Sequence, residues 1–175
     1  MPKIIENIRE KLLEEAKRQV MELGYSSMTI RSVASACGVG VGTVYNYFPS
    51  KDILIASFIL EDWFICKQAI DEGCRENMTT EMALRSIYDG LNIFLSKYEV
   101  LFKDESAGVA FSASFSKERH KMLCNQIAQP LLPFCQKQTR VKAEFLAEFV
   151  AESLLNWACS EASFEDVKSV LLQLF

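Results

Sequence analysis

The chain has 175 residues and a formal net charge of −4, and half of it is apolar, with 12 Phe, 5 Tyr and 2 Trp. That is ample material for a core and excludes a disordered chain, while 7 Gly and 4 Pro are too few for the turns of an all-β sandwich or barrel. No run reaches the roughly 18 apolar residues of a membrane span, and Met1-Pro2-Lys3-Ile4-Ile5-Glu6 meets charge too early for a signal peptide, so a cytoplasmic protein is expected.

Periodicity predicts an amphipathic helix from Ile4 to Leu23, with Ile5, Ile8, Leu12, Ala16, Val20 and Leu23 inward. Gly24 follows, where a helix end favours a left-handed residue. Thr29 is placed to cap a short helix whose inner face is Ile30, Val33, Ala34 and Cys37. Gly38-Val39-Gly40 breaks that helix, and a second short helix runs from Val41 to Phe48 and stops before Pro49. Ser50 caps the next, with Asp52 in its first turn. Two short helices joined by a glycine-containing turn, with a preceding helix across them, make a helix-turn-helix. Ala34 is small where the helices approach, Gly38 tolerates positive φ, and Val39 can plug the space between them.

Charge agrees with a polyanion partner at this end. Residues 1–51 hold seven Lys or Arg against five Glu, net +2, on a body of net −6. Gly24-Tyr25, Met28-Thr29-Ile30, Val33-Ala34 and the run from Gly38 through Thr43-Val44-Tyr45-Asn46-Tyr47-Phe48-Pro49-Ser50-Lys51-Asp52 closely resemble the DNA-binding domain of TetR-family transcriptional regulators. The resemblance covers residues 5–55. It departs at Gly40, where many members carry Ser, and at Val41, where many carry a polar or basic residue.

The second helix of such a motif lies in the major groove with its first residues at base edges. Val44 and Phe48, four apart, turn inward, which leaves Thr43, Tyr45, Asn46 and Tyr47 toward DNA. Val41 and Gly42 join that set at the helix start, Val41 offering only apolar contact such as a thymine methyl. The resemblance implies phosphate or base-edge contacts for Thr43 and Tyr47 and a phosphate contact for Tyr45. Asn46 is suited to adenine, Lys51 to a phosphate beside its helix's N-terminal amides, and Arg31 to a phosphate or a base. Arg31 and Asn46 are equally at home as solvated surface residues.

Residues 52–175 continue as helix and hold eleven of the 12 Phe. Segments are expected at 51–76, 80–98, 103–115, 117–137 (kinked at Pro130 and Pro133), 140–160 and 163–175. In 140–160, Phe145, Phe149, Trp157, Leu146, Val150, Leu154 and Leu155 make more apolar faces than one solvated helix needs. With the stripe Val167, Val170, Leu171 and Leu174 they suit a four-helix homodimer interface, which the resemblance also implies. The resemblance further implies a pocket for a small hydrophobic or amphipathic effector, with Trp63, Tyr88, Phe94, Tyr98, Phe102, Phe111, Phe115 and Cys124 as candidate lining. Taken singly, each is more often a core residue than a ligand contact.

Cys37, Cys66, Cys74, Cys124, Cys135 and Cys159 include no closely spaced pair, so zinc-knuckle and dithiol motifs are excluded. The single His120, between Arg119 and Lys121, is expected at the surface without metal or triad partners. No catalytic residue, metal or cofactor is expected. The reading is an all-α regulator of about nine helices, with a helix-turn-helix domain at 1–50 and an effector-binding and dimerisation domain at 51–175. It acts as a repressor on double-stranded DNA, with half-sites about 34–36 Å apart. The competing reading is a small-molecule-binding or thiol-sensing helical protein with a weak or vestigial DNA head.

Overall fold

Helical periodicity carries through to the structure: in the computed structural model, every regular element among the described residues is a helix. The described residues are 7–75, 78–102, 104, 107, 113–137, 140–158, 160 and 162–175. Among them, no helix is long and apolar enough to cross a membrane. The chain divides into two compact units, residues 1–62 with 98–112, and residues 63–97 with 113–175.

The first unit contains α1 (Ile8–Leu23), α2 (Ile30–Ala36), α3 (Val41–Tyr47), the first half of α4 (Lys51–Gly73) and the short α6 (Glu99–Phe102). Ile8, Leu12, Ala16 and Val20 are buried as expected, together with Leu13. Leu23 is instead 56% exposed, because α1 ends there and Gly24, at φ +84°, turns the chain away before a neighbour covers it. Ile4 and Ile5 lie outside the described residues. Thr29 caps α2 in a reciprocal box: its Oγ1 accepts from the Ser32 amide at 3.0 Å, and Ser32 Oγ accepts from the Thr29 amide at 3.1 Å. Ile30, Val33 and Ala34 are buried, while Cys37 at the helix end is half-buried. Gly38 takes φ +68°, and the Val39 amide then donates to Ala34 O at 2.9 Å, closing the turn.

The second unit holds the rest of α4, α5 (Thr80–Lys97), α7 (Ala113–Ala128), a 3₁₀ turn at Gln129–Leu131, α8 (Leu132–Cys135), α9 (Ala143–Ala158), α10 (Phe164–Leu171) and a closing 3₁₀ turn at Leu172–Leu174. α9 packs against α5, α7 and α8, and α10 against α5 and α9. Several bounds differ from expectation. The helix expected at 51–76 stops at Gly73, and a separate turn of helix, Glu99–Phe102, lies where a break was expected. The segment 103–115 falls mostly outside the described residues. The helix expected at 117–137 begins at Ala113, and Pro130 and Pro133, lacking amide donors, divide its end into a 3₁₀ turn and α8. Residues 140–160 and 163–175 contract to α9 and α10, the latter capped by Ser163, whose Oγ accepts from the Asp166 amide at 3.3 Å.

On α9, Leu146, Val150, Leu154 and Leu155 are buried, whereas Phe145 and Phe149 are 62% and 51% exposed and Trp157 is half-buried. The stripe expected on the last helix splits. Val167 and Leu171 belong to the unit's own core, Leu174 is half-buried, and Val170 is 52% exposed. α4 and α5 meet at two glycines: a Cβ added to Gly73 would fall 1.8 Å from Ser86 Oγ, and one on Gly90 would fall 2.8 Å from Ile70 Cγ1. Cys66 Sγ donates to Gly90 O at 3.2 Å across the same seam.

Candidate nucleic-acid interface

α3 is held from below by two residues. Val44 is fully buried and Phe48, which follows the helix, is 2% exposed. Its other faces point outward: Tyr45 is 50% and Tyr47 45% exposed, Gly42 and Asn46 are exposed, and Val41 and Thr43 are half-buried. Gly40 starts the helix without a side-chain cap, its carbonyl accepting from the Thr43 amide at 2.9 Å. Arg31 is exposed on α2. The structure therefore brings Val41, Gly42, Thr43, Tyr45, Asn46 and Tyr47 onto one short helix with Arg31 on its motif partner.

Lys51 is placed differently from the sequence expectation. Its Nζ lies 4.0 Å over the Tyr25 ring and donates to the Tyr25 carbonyl, and burial pushes its ammonium below the usual lysine range. Tyr25 in turn donates to Asp52 Oδ1 at 2.6 Å, and burial with that bond pushes the phenol up. Tyr25, Lys51 and Asp52 thus clamp the chain after α1 to the start of α4, a contact that residue spacing did not reveal. Gln19, 4% exposed on α1, was also missed. It accepts from Ser32 Oγ at 2.6 Å and donates to Glu15 Oε1 at 2.7 Å, so α1 and α2 share a buried, satisfied hydrogen bond.

The described candidate effector residues divide between the two units. Tyr98 is fully buried in the first unit, stacked on Phe58 at 6.2 Å and donating to Asp62 Oδ2 at 2.6 Å, while Lys17 Nζ holds the same carboxylate at 2.7 Å. Trp63, Tyr88, Phe94 and Cys124 are buried in the second unit. Trp63 meets Phe94 edge-on at 5.3 Å and donates its indole N–H to Gln126, while Tyr88 lies 5.5 Å from Phe164 and donates to Ala162 O. Phe111 lies outside the described residues, as do the side chains of Phe102 and Phe115. A shallow depression of about 420 Å³ involves none of these; Lys11, Glu14, Glu15, Arg18, Ala36 and Cys37 line it.

The family model described as bacterial regulatory proteins, tetR family, matches residues 12–58, which is α1 through the first turns of α4. The HTH-type transcriptional repressor KstR of Mycobacterium tuberculosis (strain ATCC 25618 / H37Rv) is 23% identical over 168 residues, 93% of this chain and 76% of its own length. Residues 12–58 thus match the TetR-family DNA-binding domain, and over nearly its whole length the chain is similar to a repressor of the HTH type. The HTH-type transcriptional repressor AcnR of Corynebacterium efficiens is 31% identical over 90 residues, 51% of this chain and 48% of its own length. The crystal structure of the transcriptional regulator FadR from Bacillus subtilis in complex with stearoyl-CoA shares the fold, with a TM-score of 0.64 at 17% identity, covering 94% of this chain and 96% of that one. By that domain and those relatives the chain is a DNA-binding transcriptional regulator rather than an enzyme.

Two features of the regulator's side-chain chemistry lie outside that role. Burial pushes the Cys66 and Cys135 thiols up to about 11 and those of Cys74 and Cys124 to about 12, which keeps them protonated at neutral pH in the absence of a metal ion. Cys159 is outside the described residues. His120, expected to stand without partners, instead meets Cys124 of its own helix and Glu152 of α9. The four-residue spacing of His120 and Cys124 was visible in the sequence; Glu152 arrives only through the pairing of α7 with α9.

Proposed function

We propose that this regulator is a ligand-responsive repressor that binds a pseudo-palindromic operator in the cytoplasm as a homodimer, with residues 1–50 as DNA reader and 51–175 as effector-binding and dimerisation domain. The observation that carries the reading is the outward face of α3: Gly42, Tyr45, Asn46 and Tyr47 are exposed while Val44 and Phe48 anchor the helix. Two large aromatic rings on one seven-residue helix have no core to fill and suit contact with phosphates and base edges. Thr43 and Val41 complete the base-facing turn, Arg31 reaches backbone or base from α2, and Lys51 reaches a phosphate on exchanging its Tyr25 partner.

Dimerisation is supported by Phe145 and Phe149 on α9 and Val170 on α10, large apolar groups exposed in the isolated chain. A hydrophobic or amphipathic effector is supported by the apolar, buried character of Trp63, Tyr88, Phe94 and Cys124 within the second unit. The similar FadR structure holds stearoyl-CoA, and an acyl chain is the first class to try here. α4 begins in one unit and ends in the other, so an effector that displaces it alters the DNA-reading heads, and only by its affinity difference between the two states.

The deciding experiment is DNA binding by the purified chain to fragments of its own upstream region, at two salt concentrations and against random competitor, with and without acyl-CoA. Saturable binding at two chains per site that falls with salt and is released by acyl-CoA supports the whole reading. Saturable binding that acyl-CoA leaves unchanged removes that effector class, and binding no better than to random DNA across a genome-wide selection overturns the repressor.

A further inference from the structure

Three donor atoms of different chemistry converge at the surface of the second unit. His120 and Cys124 are one turn apart on α7 and share a face, and Glu152 of α9 lies opposite. His120 Nε2 lies 2.8 and 2.9 Å from the two Glu152 oxygens, and Cys124 Sγ lies 2.8 Å from Glu152 Oε2 and 3.5 Å from the same Nε2. All three donors fall within 4.8 Å of one another. Cys124 is buried, whereas His120 and Glu152 stand at the rim, open to solvent on one side.

The arrangement does not suit a nucleophile. A thiol–imidazole–carboxylate relay places thiol and carboxylate on opposite ring nitrogens, so that one orients the base the other uses. Here both meet Nε2. Convergence of three donors on one point is the requirement of a metal ion instead.

We propose that His120, Cys124 and Glu152 bind a divalent transition-metal ion of the zinc class, as three protein ligands with a fourth position open to water or to a ligand's donor atom. The set of one imidazole nitrogen, one thiolate and one carboxylate oxygen matches the borderline preference of Zn²⁺ and Co²⁺ and is unlike the all-oxygen shells of Mg²⁺ or Ca²⁺. Bonds of about 2.0 Å to nitrogen and about 2.3 Å to sulfur in a tetrahedron set those two donors about 3.5 Å apart. That is the separation of His120 Nε2 and Cys124 Sγ. The Glu152 oxygens, now in hydrogen-bond contact, withdraw by less than about 1 Å to reach the same geometry, an easy movement for an exposed side chain. On binding, the S–H bond of Cys124 breaks, its proton leaves to solvent, and the thiolate pair forms the sulfur–metal bond, while His120 binds through its neutral Nε2 lone pair. The ion ties α7 to α9, and the site stands whether or not the operator and effector readings hold.

The test is a titration of the reduced full chain with Co²⁺, followed by displacement with Zn²⁺. The expected result is a thiolate-to-cobalt charge-transfer band that saturates at one ion per chain and bleaches with one equivalent of Zn²⁺. About one proton per ion should be released in weak buffer. His120→Gln and Glu152→Gln alter exposed residues and preserve the fold. Each should weaken Zn²⁺ binding by more than the roughly 10- to 100-fold typical of changes one shell further out. Cys124→Ala abolishes the band, whereas Cys74→Ala, at a buried thiol elsewhere in the unit, leaves it intact. A band that survives Cys124→Ala, wild-type affinity in both glutamine variants, or no saturable band in the wild-type chain overturns the proposal.

Discussion

Gln19 with Ser32 and Asp62 with Tyr98 tie elements of the first unit together side chain to side chain, whereas in the second the buried rings of Trp63 and Tyr88 each bond one partner and ion pairs such as Arg85 with Glu165 and Lys168 with Glu81 run along the rim. Inward polar bonds cost heavily if left unmade, so they admit one arrangement and hold α1 to α2 and to α4. Exposed ion pairs contribute about 0–1 kcal/mol each and specify little. Around its inward bonds the second unit packs aliphatic and aromatic side chains, and such packing tolerates adjustment as long as volume is conserved. Rigidity thus resides where a helix must be presented to a fixed partner, and adaptability where a ligand is expected.

The contrast can be broken most sharply at Val44. Val44→Asp buries a charge beneath α3 and should cost about 4 kcal/mol or more. Hydrogen exchange should then show α1 to α3 opening, with DNA binding lost. The second unit should fail next under alkali. Its buried thiols have folded values near 11 and 12 against an ordinary 9, so the folded state keeps protons that the unfolded chain releases. Their stabilising effect is complete below about pH 9 and disappears as pH rises through 11 to 12, on the order of 1 kcal/mol per pH unit for each thiol. Denaturant titrations at stepped pH should show the fall, and Cys74→Ala should lessen it.

Smaller effects sharpen the comparison. Gly90→Val, which overpacks the α4–α5 seam, should cost about 1–3 kcal/mol in thermal unfolding. Tyr47→Ala and Lys51→Ala should each weaken DNA binding about tenfold without lowering helix content, and Lys51→Ala should reduce the salt slope by about one unit. If both variants bind DNA as the wild type does, the contact assignment on α3 and α4 is wrong. Leu23→Ser, at the exposed end of α1, should stay within about 0.5 kcal/mol of wild type.

The first unit was readable where neighbours in sequence are neighbours in space. Thr29 and Ser32, Gly38 and its turn, and Val44 with Phe48 are separated by a few residues, so spacing alone fixes their geometry. Tyr25 and Lys51 are 26 residues apart, and their clamp came from folding rather than from any local pattern. In the second unit, helix existence followed from periodicity but bounds did not. Pro130 and Pro133 mark a disruption without stating whether a kink or a 3₁₀ turn results. Apolar periodicity also could not divide Val167 and Leu171, which close the unit's core, from Val170, which does not. His120 looked solitary because its third partner lies 32 residues onward, on a helix whose pairing no spacing rule supplies.

The seam at Gly73 and Gly90 bears on how a signal travels within the second unit. At each glycine the facing side chain, Ser86 or Ile70, lies directly against the other helix's backbone, and an added methyl group would collide with it. Two helices in such contact have little room to slide, because a shift along the seam drives Ser86 or Ile70 into the facing backbone. A push on the second half of α4 is therefore felt by α5 at this seam, through Ser86 and Ile70.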